Sequence, residues 1–468
     1  MRWQELDDDT DPRIRSRTFR EALIDAADTA QSHGKDFVTS HRWQDAFVVL
    51  VYSVLTGLVI VGFTLLAEGG TYLFRKICQI DSLSRFLPLV WTPLLTVIIV
   101  WITRKYAPAA VGSGIPQVVK YLDANEDDRK VNHLVSLKLA IKKVFLVGSG
   151  FLAGLSLGRE GPAVQVGAGV MSGAEKHLSS LTKIKRHDLV VAGAAAGIAA
   201  SFNTPLGGIA FALEQLVKYR SFSQSNIIIA SIVLSGLVSI SYFGDVTYFG
   251  ILKVQEISSK ILIPGIFVVI ASGILGGLFS KILVASLKGT INKRCCAYRV
   301  EHPLKFAAIC GFLVAVMGIL SLGSVTGAGY WATKGLLEGT DDVPSSYTAL
   351  KFIATWLTTW AGVPAGVFAP SLAIGAGIGR DVATLAQIST VEAIPLIALG
   401  MVGFLAASTQ GPITAFVIVM EMIAGHTMVL SLMIAALVSS AISRMIARPM
   451  YSELAELFGD SVQKSTKS

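Results

Sequence analysis

The sequence is poor in charged residues, and no long polar stretch separates its apolar segments. Asp, Glu, Lys and Arg make up 15% of its 468 residues, against about 25% in soluble domains. Apolar runs continue from about Trp43 to Arg444 without a polar gap large enough for a soluble domain. This disfavours a receptor or scaffold that signals through a soluble module, and we expect one membrane domain with short polar tails.

Recognisable metal-binding patterns are also lacking. The four cysteines, Cys78, Cys295, Cys296 and Cys310, have no metal-ligand spacing, and the seven histidines form no ligand-spaced pair with carboxylates. We expect free thiols, no metal and no cofactor. A membrane-embedded enzyme with Glu160 as general acid is a remote alternative, because such chemistry also needs a nucleophile with a nearby base or a metal cluster.

Uncharged stretches of membrane-spanning length are present instead. The runs Ala46–Ala67, Asn226–Gly244 and Ala393–Met420 each approach or exceed the ~20 residues that a spanning helix needs. We therefore predict an all-α polytopic membrane protein in contact with lipid.

The net charge of +8 does not indicate a nucleic-acid partner, because the basic residues occupy short loops between the apolar runs. Such loops are typically cytoplasmic, which predicts that both termini are cytoplasmic as well. The loops are Arg104-Lys105, Lys183 to Arg186, Lys288 to Lys305 and Arg444 to Arg448.

The first residues of the chain are polar and charged, so we expect no cleavable signal peptide. Phe19, Leu23 and Ala27 recur at helical spacing among three arginines. This spacing predicts a short amphipathic helix on the membrane surface, with a plain solvated helix as the alternative.

The chain repeats two sets of motifs at nearly one offset. The motif that begins at Gly158 returns 208 positions later at Gly366, and Pro205 with Glu214 returns as Pro412 with Glu421. Such duplication in membrane chains is typical of two repeats that meet at the bilayer midplane. We predict a tail of residues 1–43, repeats of residues 44–245 and 246–450, and a tail of residues 451–468.

Three motifs with glycine and proline interrupt the apolar runs, and each should start a helix inside the membrane. Glycine permits tight turns, while proline in the first turn removes a donor that has no partner there. The free amides at a helix start carry roughly half a positive charge, so converging starts attract an anion without a full cation. For one motif alone, a kink or packing notch is the alternative. The motifs are Gly112-Ser113-Gly114-Ile115-Pro116, Gly158-Arg159-Glu160-Gly161-Pro162 and Gly366-Val367-Phe368-Ala369-Pro370.

Glu160 is the strongest single candidate, because an ionisable residue within an apolar segment usually lines an ion path or has a charged partner. A pair with Arg159 is the simple alternative, but adjacent helical residues point in different directions. Amides at a helix start favour the carboxylate, whereas burial and a nearby anion favour the protonated acid. Glu160 is therefore predicted to act as a gate and to carry protons.

Together with Tyr451 after the last membrane helix, the three ordered motifs resemble those of the CLC chloride channels and chloride/proton exchangers over about residues 43–455. The resemblance implies the CLC fold, with inverted-topology repeats of tilted and broken helices, and a homodimer with one pore per subunit. Only a short tail follows Tyr451, so we expect no C-terminal CBS domains. We further expect a prokaryotic type of protein in a bacterial inner membrane.

The same resemblance implies roles for individual residues. Ser113 and Tyr451 would donate hydroxyls to a central chloride, the amides of Val367 and Phe368 would complete its shell, and Glu160 would be the external gate. A serine at position 113 accompanies chloride selectivity in the family. From the residues alone, Tyr451 is more typical of an interfacial anchor, and a lone membrane serine usually bonds its own helix.

Two further positions leave alternatives open. Exchangers of the family usually carry two consecutive glutamates where this chain has Glu214-Gln215, and a neutral amide cannot carry a proton. We expect exchange that is weak, with a passive voltage- or pH-gated chloride channel as the alternative, and we favour a structural role for Glu214 in which backbone amides hold its carboxylate. Lys143 either raises the potential along the anion path or snorkels to the cytoplasmic interface.

Dimerisation is predicted through segments rich in glycine and alanine, around residues 193–200 and near Ala406. Small residues allow membrane helices to approach closely. The expected partners are therefore chloride, protons, lipid and a second copy of the chain.

Overall fold

The computed structural model describes residues 40–80, 83–124, 129–179, 182–217, 225–244, 247–250, 259–340 and 343–465. The amphipathic helix predicted around Phe19 to Ala27 lies outside these residues, as does the predicted boundary between the repeats at residues 245 and 246. Within the described ranges the chain forms 18 α-helices, and an isolated β-bridge pairs Gly158 with Gly366.

The helices are numbered here in chain order. They are α1 (Ser40–Cys78), α2 (Pro88–Tyr106), α3 (Ile115–Asp123), α4 (Leu137–Leu152), α5 (Glu160–Met171), α6 (Arg186–Phe202), α7 (Pro205–Phe211), α8 (Ser225–Phe243), α9 (Leu262–Lys288), α10 (Lys293–Glu301), α11 (Pro303–Leu320), α12 (Tyr330–Glu338), α13 (Tyr347–Trp360), α14 (Phe368–Leu385), α15 (Ile394–Thr409), α16 (Pro412–Met422), α17 (Val429–Ile446) and α18 (Met450–Ser465).

Six of the described helices, α1, α2, α8, α9, α11 and α17, are long and apolar enough to cross a membrane. Each also exposes large apolar side chains such as Phe47, Leu94 and Phe267, as expected where lipid is the solvent. Some shorter helices are buried almost entirely: every residue of α5 is buried, and so are all residues of α15 but one. Long lipid-facing helices thus enclose short broken ones, in agreement with the predicted all-α membrane architecture.

The helix order repeats along the chain. The succession from α1 to α8 recurs from α9 to α17 with α10 inserted, and α18 follows the second copy. The motif offset read from the sequence therefore corresponds to a repeated series of helices.

Carboxylates join the two repeats reciprocally. Glu214 accepts hydrogen bonds from the amides of Ile413 (2.9 Å) and Thr414 (2.8 Å) at the start of α16. Glu421 accepts from Leu206 (3.1 Å) and Gly207 (2.7 Å) at the start of α7. The first amides of a helix have no partner within it, so each repeat caps a helix of the other. The expectation that backbone amides hold Glu214 is confirmed.

The prediction that the glycine- and alanine-rich segments form a dimer interface is wrong. A Cβ atom at Gly193 would overlap the carbonyl oxygen of Gly167, and one at Gly400 would overlap that of Gly375. Residues 193–200 and Ala406 are buried within the subunit, where α6 packs on α5 and α15 on α14. Small residues indicate close helix packing, but the neighbouring helix here belongs to the same chain.

Candidate functional site

The three glycine-proline motifs start helices as predicted, at Ile115, Glu160 and Phe368. Backbone hydrogen bonds hold these starts side by side. Gly158 N donates to Gly366 O (2.7 Å), and Gly366 N donates to Gly158 O (3.0 Å). The two copies of the repeated motif are thus paired with one another, which brings the free amides of α5 and α14 to one place.

Residues 112–114 form a loop, called here the Ser113 loop, that is hydrogen-bonded to the segment before α14. Gly112 N donates to Val363 O (3.3 Å), and Ala365 N donates to Gly112 O (3.1 Å). Gly112 and Gly114 have φ angles of 69° and 105°, which glycine adopts without steric cost. The loop therefore joins the chain segment that leads into α14.

The Ser113 hydroxyl lies against the start of α5, because a Cβ atom at Gly161 would overlap Ser113 Oγ. Ser113 is buried, and its Oγ has no hydrogen-bond partner among the described residues. It does not bond its own helix, which was the alternative for a lone membrane serine. A buried hydroxyl of this kind is costly unless a ligand or water supplies the partner.

Tyr451 is the second residue of α18, and its ring stacks on Phe368 with centroids 6.5 Å apart and an interplanar angle of 4°. The residue is 3% exposed, which does not fit an interfacial anchor. Its hydroxyl also has no hydrogen-bond partner within the described part of the chain. The structure thus contains a second buried hydroxyl that is available to an acceptor.

A cavity of about 710 Å³ joins these groups. We call it the Ser113 cavity. Ser113, Val367 and Tyr451 line it, whereas Phe368 is 1% exposed and lies behind the Tyr451 ring. Three of the four residues predicted to bind chloride therefore face one space, and the fourth supports the ring of one of them.

A second cavity, of about 730 Å³, is lined by Glu68, Arg159, Ser201, Tyr248 and other residues. We call it the Tyr248 cavity. The second half of α1 lines the Tyr248 cavity, while the second half of its counterpart α9 lines the Ser113 cavity. Counterpart helices therefore run in opposite directions between the two cavities, which is the geometry of inverted repeats.

Glu160 lies between the cavities and lines neither of them. Its neighbour Arg159 lines the Tyr248 cavity, whereas Gly161 packs on Ser113 of the other cavity. Glu160 is fully buried, and the backbone amides of Arg159, Glu160 and Ala369 lie near its carboxyl oxygens. A Cβ atom at Gly158 would lie 2.5 Å from Glu160 Oε2 and 3.4 Å from Ala369 N. The carboxyl group therefore lies close to both paired helix starts.

Arg159 is directed away from Glu160 toward the Tyr248 cavity. Its guanidinium pairs with Glu68 Oε1 at 3.2 Å and donates to Tyr248 Oη at 3.5 Å. The simple pair between Arg159 and Glu160 is thus not formed. Glu68 and Tyr248 were missed by sequence reasoning, although an ionisable residue next to the apolar run of α1 is a signal that could have found Glu68.

Gln215 lies apart from the residues that line the cavities. It belongs to a π-helical segment, Ala212–Leu216, and is 4% exposed. A Cβ atom at Gly411 would overlap its Nε2, so its side chain lies beside the start of α16. Ser113, Val367 and Tyr451 are thus brought together, while Gln215 is placed at the contact between the repeats.

Lys143 is fully buried behind the Ser113 loop. Its Nζ donates to Gly112 O (3.2 Å) and to Gln165 Oε1 (2.6 Å). A snorkelling lysine would reach the interface, and Lys143 does not. Its amino group lies beneath the loop that carries Ser113.

Lys351 occupies the equivalent place in the second repeat, 208 positions after Lys143. Its buried Nζ donates to Val325 O (2.8 Å) and to Gly327 O (2.7 Å). The loop from Gly327 to Gly329 repeats the positive φ angles of the Ser113 loop, at 63° and 88°. Sequence reasoning missed this lysine, although the known offset predicted it.

Basic side chains gather around the Ser113 cavity. Arg299 lines it, and Lys288 Nζ bonds the carboxylates of Glu453 and Glu456 on α18. Arg186 donates to Val135 O, next to the cavity-lining Leu134. Arg448 lies 3.6 Å from Glu453 Oε1, so three of the four basic loops noted in the sequence contribute residues to this face of the molecule.

Comparisons with known proteins agree with this architecture. The sequence model of a family described as voltage gated chloride channel matches residues 95–444. The chain is 27% identical over 426 residues to the "H(+)/Cl(-) exchange transporter ClcA" of Salmonella agona strain SL483, with 87% of each chain covered.

Solved structures share the fold. A slow cyanobacterial Cl-/H+ antiporter superposes with a TM-score of 0.73 at 22% identity, over 90% of this chain and 99% of that one. A CLC-type fluoride/proton antiporter gives a TM-score of 0.68 at 23% identity, over 88% and 97% of the two chains.

Proposed function

This chain belongs to the voltage-gated chloride channel family, or CLC family, and from that premise we propose that it transports chloride across a membrane under the control of Glu160. The chain is a multi-pass membrane protein of a transporter family, not an enzyme. Each subunit would contain one anion pathway, which runs from the Ser113 cavity past Glu160 to the Tyr248 cavity.

The observation that carries the proposal is the position of Glu160 between two cavities. On one side of it, the hydroxyls of Ser113 and Tyr451 are buried without a hydrogen-bond partner among the described residues. Both can donate to an anion, and the amides of Val367 and Phe368 at the start of α14 would complete the shell. A bound chloride would satisfy donors that are otherwise left unpaired in the described structure.

Glu160 would open this pathway by gaining a proton. As a carboxylate it would take an anion position near the starts of α5 and α14, and it would lose that attraction when protonated. Chloride could then replace it, while the acid carries its proton toward the Tyr248 cavity. Lys143 would raise the potential beneath Ser113 without contacting the ion, which allows the anion to leave.

Proton exchange is the form of transport that the relatives favour. One is named an H(+)/Cl(-) exchange transporter and another a Cl-/H+ antiporter. Gln215 cannot titrate, so protons from the Ser113 side would need water to reach Glu160, and we propose that coupling is weak. A passive chloride channel is the second candidate, and Gln215 is the observation that favours it.

The basic residues around the Ser113 cavity suggest its orientation. Lys and Arg are enriched in cytoplasmic loops, so the Ser113 cavity would open to the cytoplasm and the Tyr248 cavity to the outside. This orientation would place both termini in the cytoplasm, and we propose a homodimer in a bacterial inner membrane. The repeats would comprise residues 44–245 and 246–450, between the terminal tails.

Proteoliposomes test the proposed function. Vesicles loaded with potassium chloride are diluted into low-chloride buffer with valinomycin, and chloride and proton movements are recorded together. We expect chloride efflux that drives protons uphill. Efflux without proton movement would favour the channel, whereas vesicles that release chloride no faster than protein-free vesicles would contradict both forms. Faster release of fluoride than of chloride would contradict the proposed selectivity.

A further inference from the structure

Lys288 at the end of α9 bonds two carboxylates at the start of α18, and one of these carboxylates also pairs with an arginine that precedes the helix. Lys288 Nζ lies 2.5 Å from Glu453 Oε2 and 3.0 Å from Glu456 Oε2, and Arg448 lies 3.6 Å from Glu453 Oε1. We call Lys288, Arg448, Glu453 and Glu456 the terminal clasp. The side chains of Lys288 and Glu453 are only 25% and 16% exposed, so this pair is less open to solvent than a typical surface pair.

Glu453 of the terminal clasp lies on the same helical turn as Tyr451. Successive residues of an α-helix are about 100° apart, so Tyr451 and Glu453 point about 200° apart around α18. Tyr451 lines the Ser113 cavity, while Glu453 is held by Lys288 on the other side of the turn. The hydrogen bond from Lys288 lowers the pKa of Glu453, which keeps this carboxylate ionised.

Helix α18 also contacts the helix that follows the Ser113 loop. It packs on α3 and on α9, and Leu454, Leu457 and Phe458 line the Ser113 cavity. A rotation or shift of α18 would therefore change the distance between the hydroxyls of Tyr451 and Ser113. The apolar contacts hold α18 against the cavity, and the terminal clasp adds a polar contact between α18 and α9 that opposes its rotation.

We propose that Lys288 and Glu453 are positioning residues, which set the reach of the Tyr451 hydroxyl into the Ser113 cavity and thereby the affinity for the anion. This inference rests on the proposed function, in which Tyr451 binds chloride. It assigns a role in anion binding to a salt bridge that does not itself touch the ion.

A double-mutant cycle tests the inference. Chloride dissociation constants are measured by calorimetry on the purified full chain for Glu453→Gln, Lys288→Met and Tyr451→Phe, and for each clasp variant combined with Tyr451→Phe. We expect each clasp variant alone to weaken binding about 3- to 10-fold, and to have no further effect in the Tyr451→Phe background, because coupled residues are not additive.

Matched controls exclude general damage. Lys334 and Glu338 form a pair on α12 at 3.7 Å, and Lys334→Met should leave the dissociation constant unchanged. Thermal unfolding and gel filtration show whether each variant is folded.

Two results would overturn the inference. If Tyr451→Phe weakens binding but the clasp variants have no effect, or act equally in both backgrounds, the clasp does not position Tyr451. If Tyr451→Phe leaves binding unchanged, Tyr451 is not a ligand, and both the inference and that part of the proposed function fail.

Discussion

At the residue scale, the proposed pathway depends on three buried polar groups. The hydroxyls of Ser113 and Tyr451 have no hydrogen-bond partner among the described residues, and the carboxyl group of Glu160 lies near the backbone amides at the starts of α5 and α14. The sequence could indicate Glu160 and Ser113, because both lie in motifs that start helices. The role of Tyr451 could be inferred only from the family resemblance, since a tyrosine after the last membrane helix is usually an interfacial anchor. Glu68 could not be paired with Arg159 from sequence, because 91 positions separate them.

Removing both hydroxyls should weaken anion binding. A hydrogen bond to a charged group contributes about 2 kcal/mol, so Ser113→Ala with Tyr451→Phe should raise the chloride dissociation constant at least about 30-fold. Isothermal titration calorimetry measures this change. Ser149→Ala with Tyr242→Phe removes hydroxyls of the same types outside both cavities and should leave binding unchanged. Equal chloride affinities of the two double variants would show that the Ser113 and Tyr451 hydroxyls do not bind chloride.

At the element scale, the site depends on where helices begin and on which helix starts lie next to each other. Glycine and proline made the starts of α3, α5 and α14 predictable from sequence. The pairing of Gly158 with Gly366 was not predictable, because it depends on how the repeats pack. The dimer interface was predicted wrongly for the same reason. Small residues indicate that a helix packs closely on a neighbour, but they do not show whether that neighbour belongs to the same chain.

A methyl group at the start of α5 should disturb the Ser113 loop. The Cβ atom of Gly161→Ala would overlap Ser113 Oγ and lie 3.2 Å from Ser113 O, so the loop must move. We expect chloride affinity to fall about 10-fold or more, equivalent to at least about 1.4 kcal/mol, as measured by calorimetry. Gly62→Ala in α1 meets nothing within 4 Å, lies outside both cavities and should bind chloride normally. Normal binding by Gly161→Ala would show that the hydroxyl does not sit where the structure places it.

The reciprocal caps should contribute to stability. Glu421→Ala leaves the amides of Leu206 and Gly207 without their carboxylate, and losing a helix N-cap costs about 0.5–2 kcal/mol. We expect the melting temperature in detergent to fall by a few degrees. Glu301→Ala, at a side chain that is 74% exposed, should leave it unchanged. If both variants have the melting temperature of the wild type, the capping hydrogen bonds between the repeats have no stabilising role.

At the scale of the whole molecule, the duplication explains why counterpart helices of the two repeats line different cavities. Each repeat supplies a glycine loop with a buried lysine behind it, Lys143 in the first and Lys351 in the second. The repeats have diverged at the loops, because Ala328 stands where the first copy has Ser113. The offset predicted the duplication, and the family resemblance implied the inverted fold. The cavities and the position of Glu160 between them required the packed structure.

The most direct test of the central claim is the pH dependence of chloride efflux from proteoliposomes that contain the wild type or Glu160→Gln. Because protonation removes the carboxylate from the path, we expect wild-type efflux to rise as pH falls. The Glu160→Gln variant should release chloride at a rate that does not change with pH and should move no protons. Glu175→Gln, at a side chain that is 47% exposed, should behave as the wild type. Efflux from Glu160→Gln that retains the wild-type pH dependence would contradict the account.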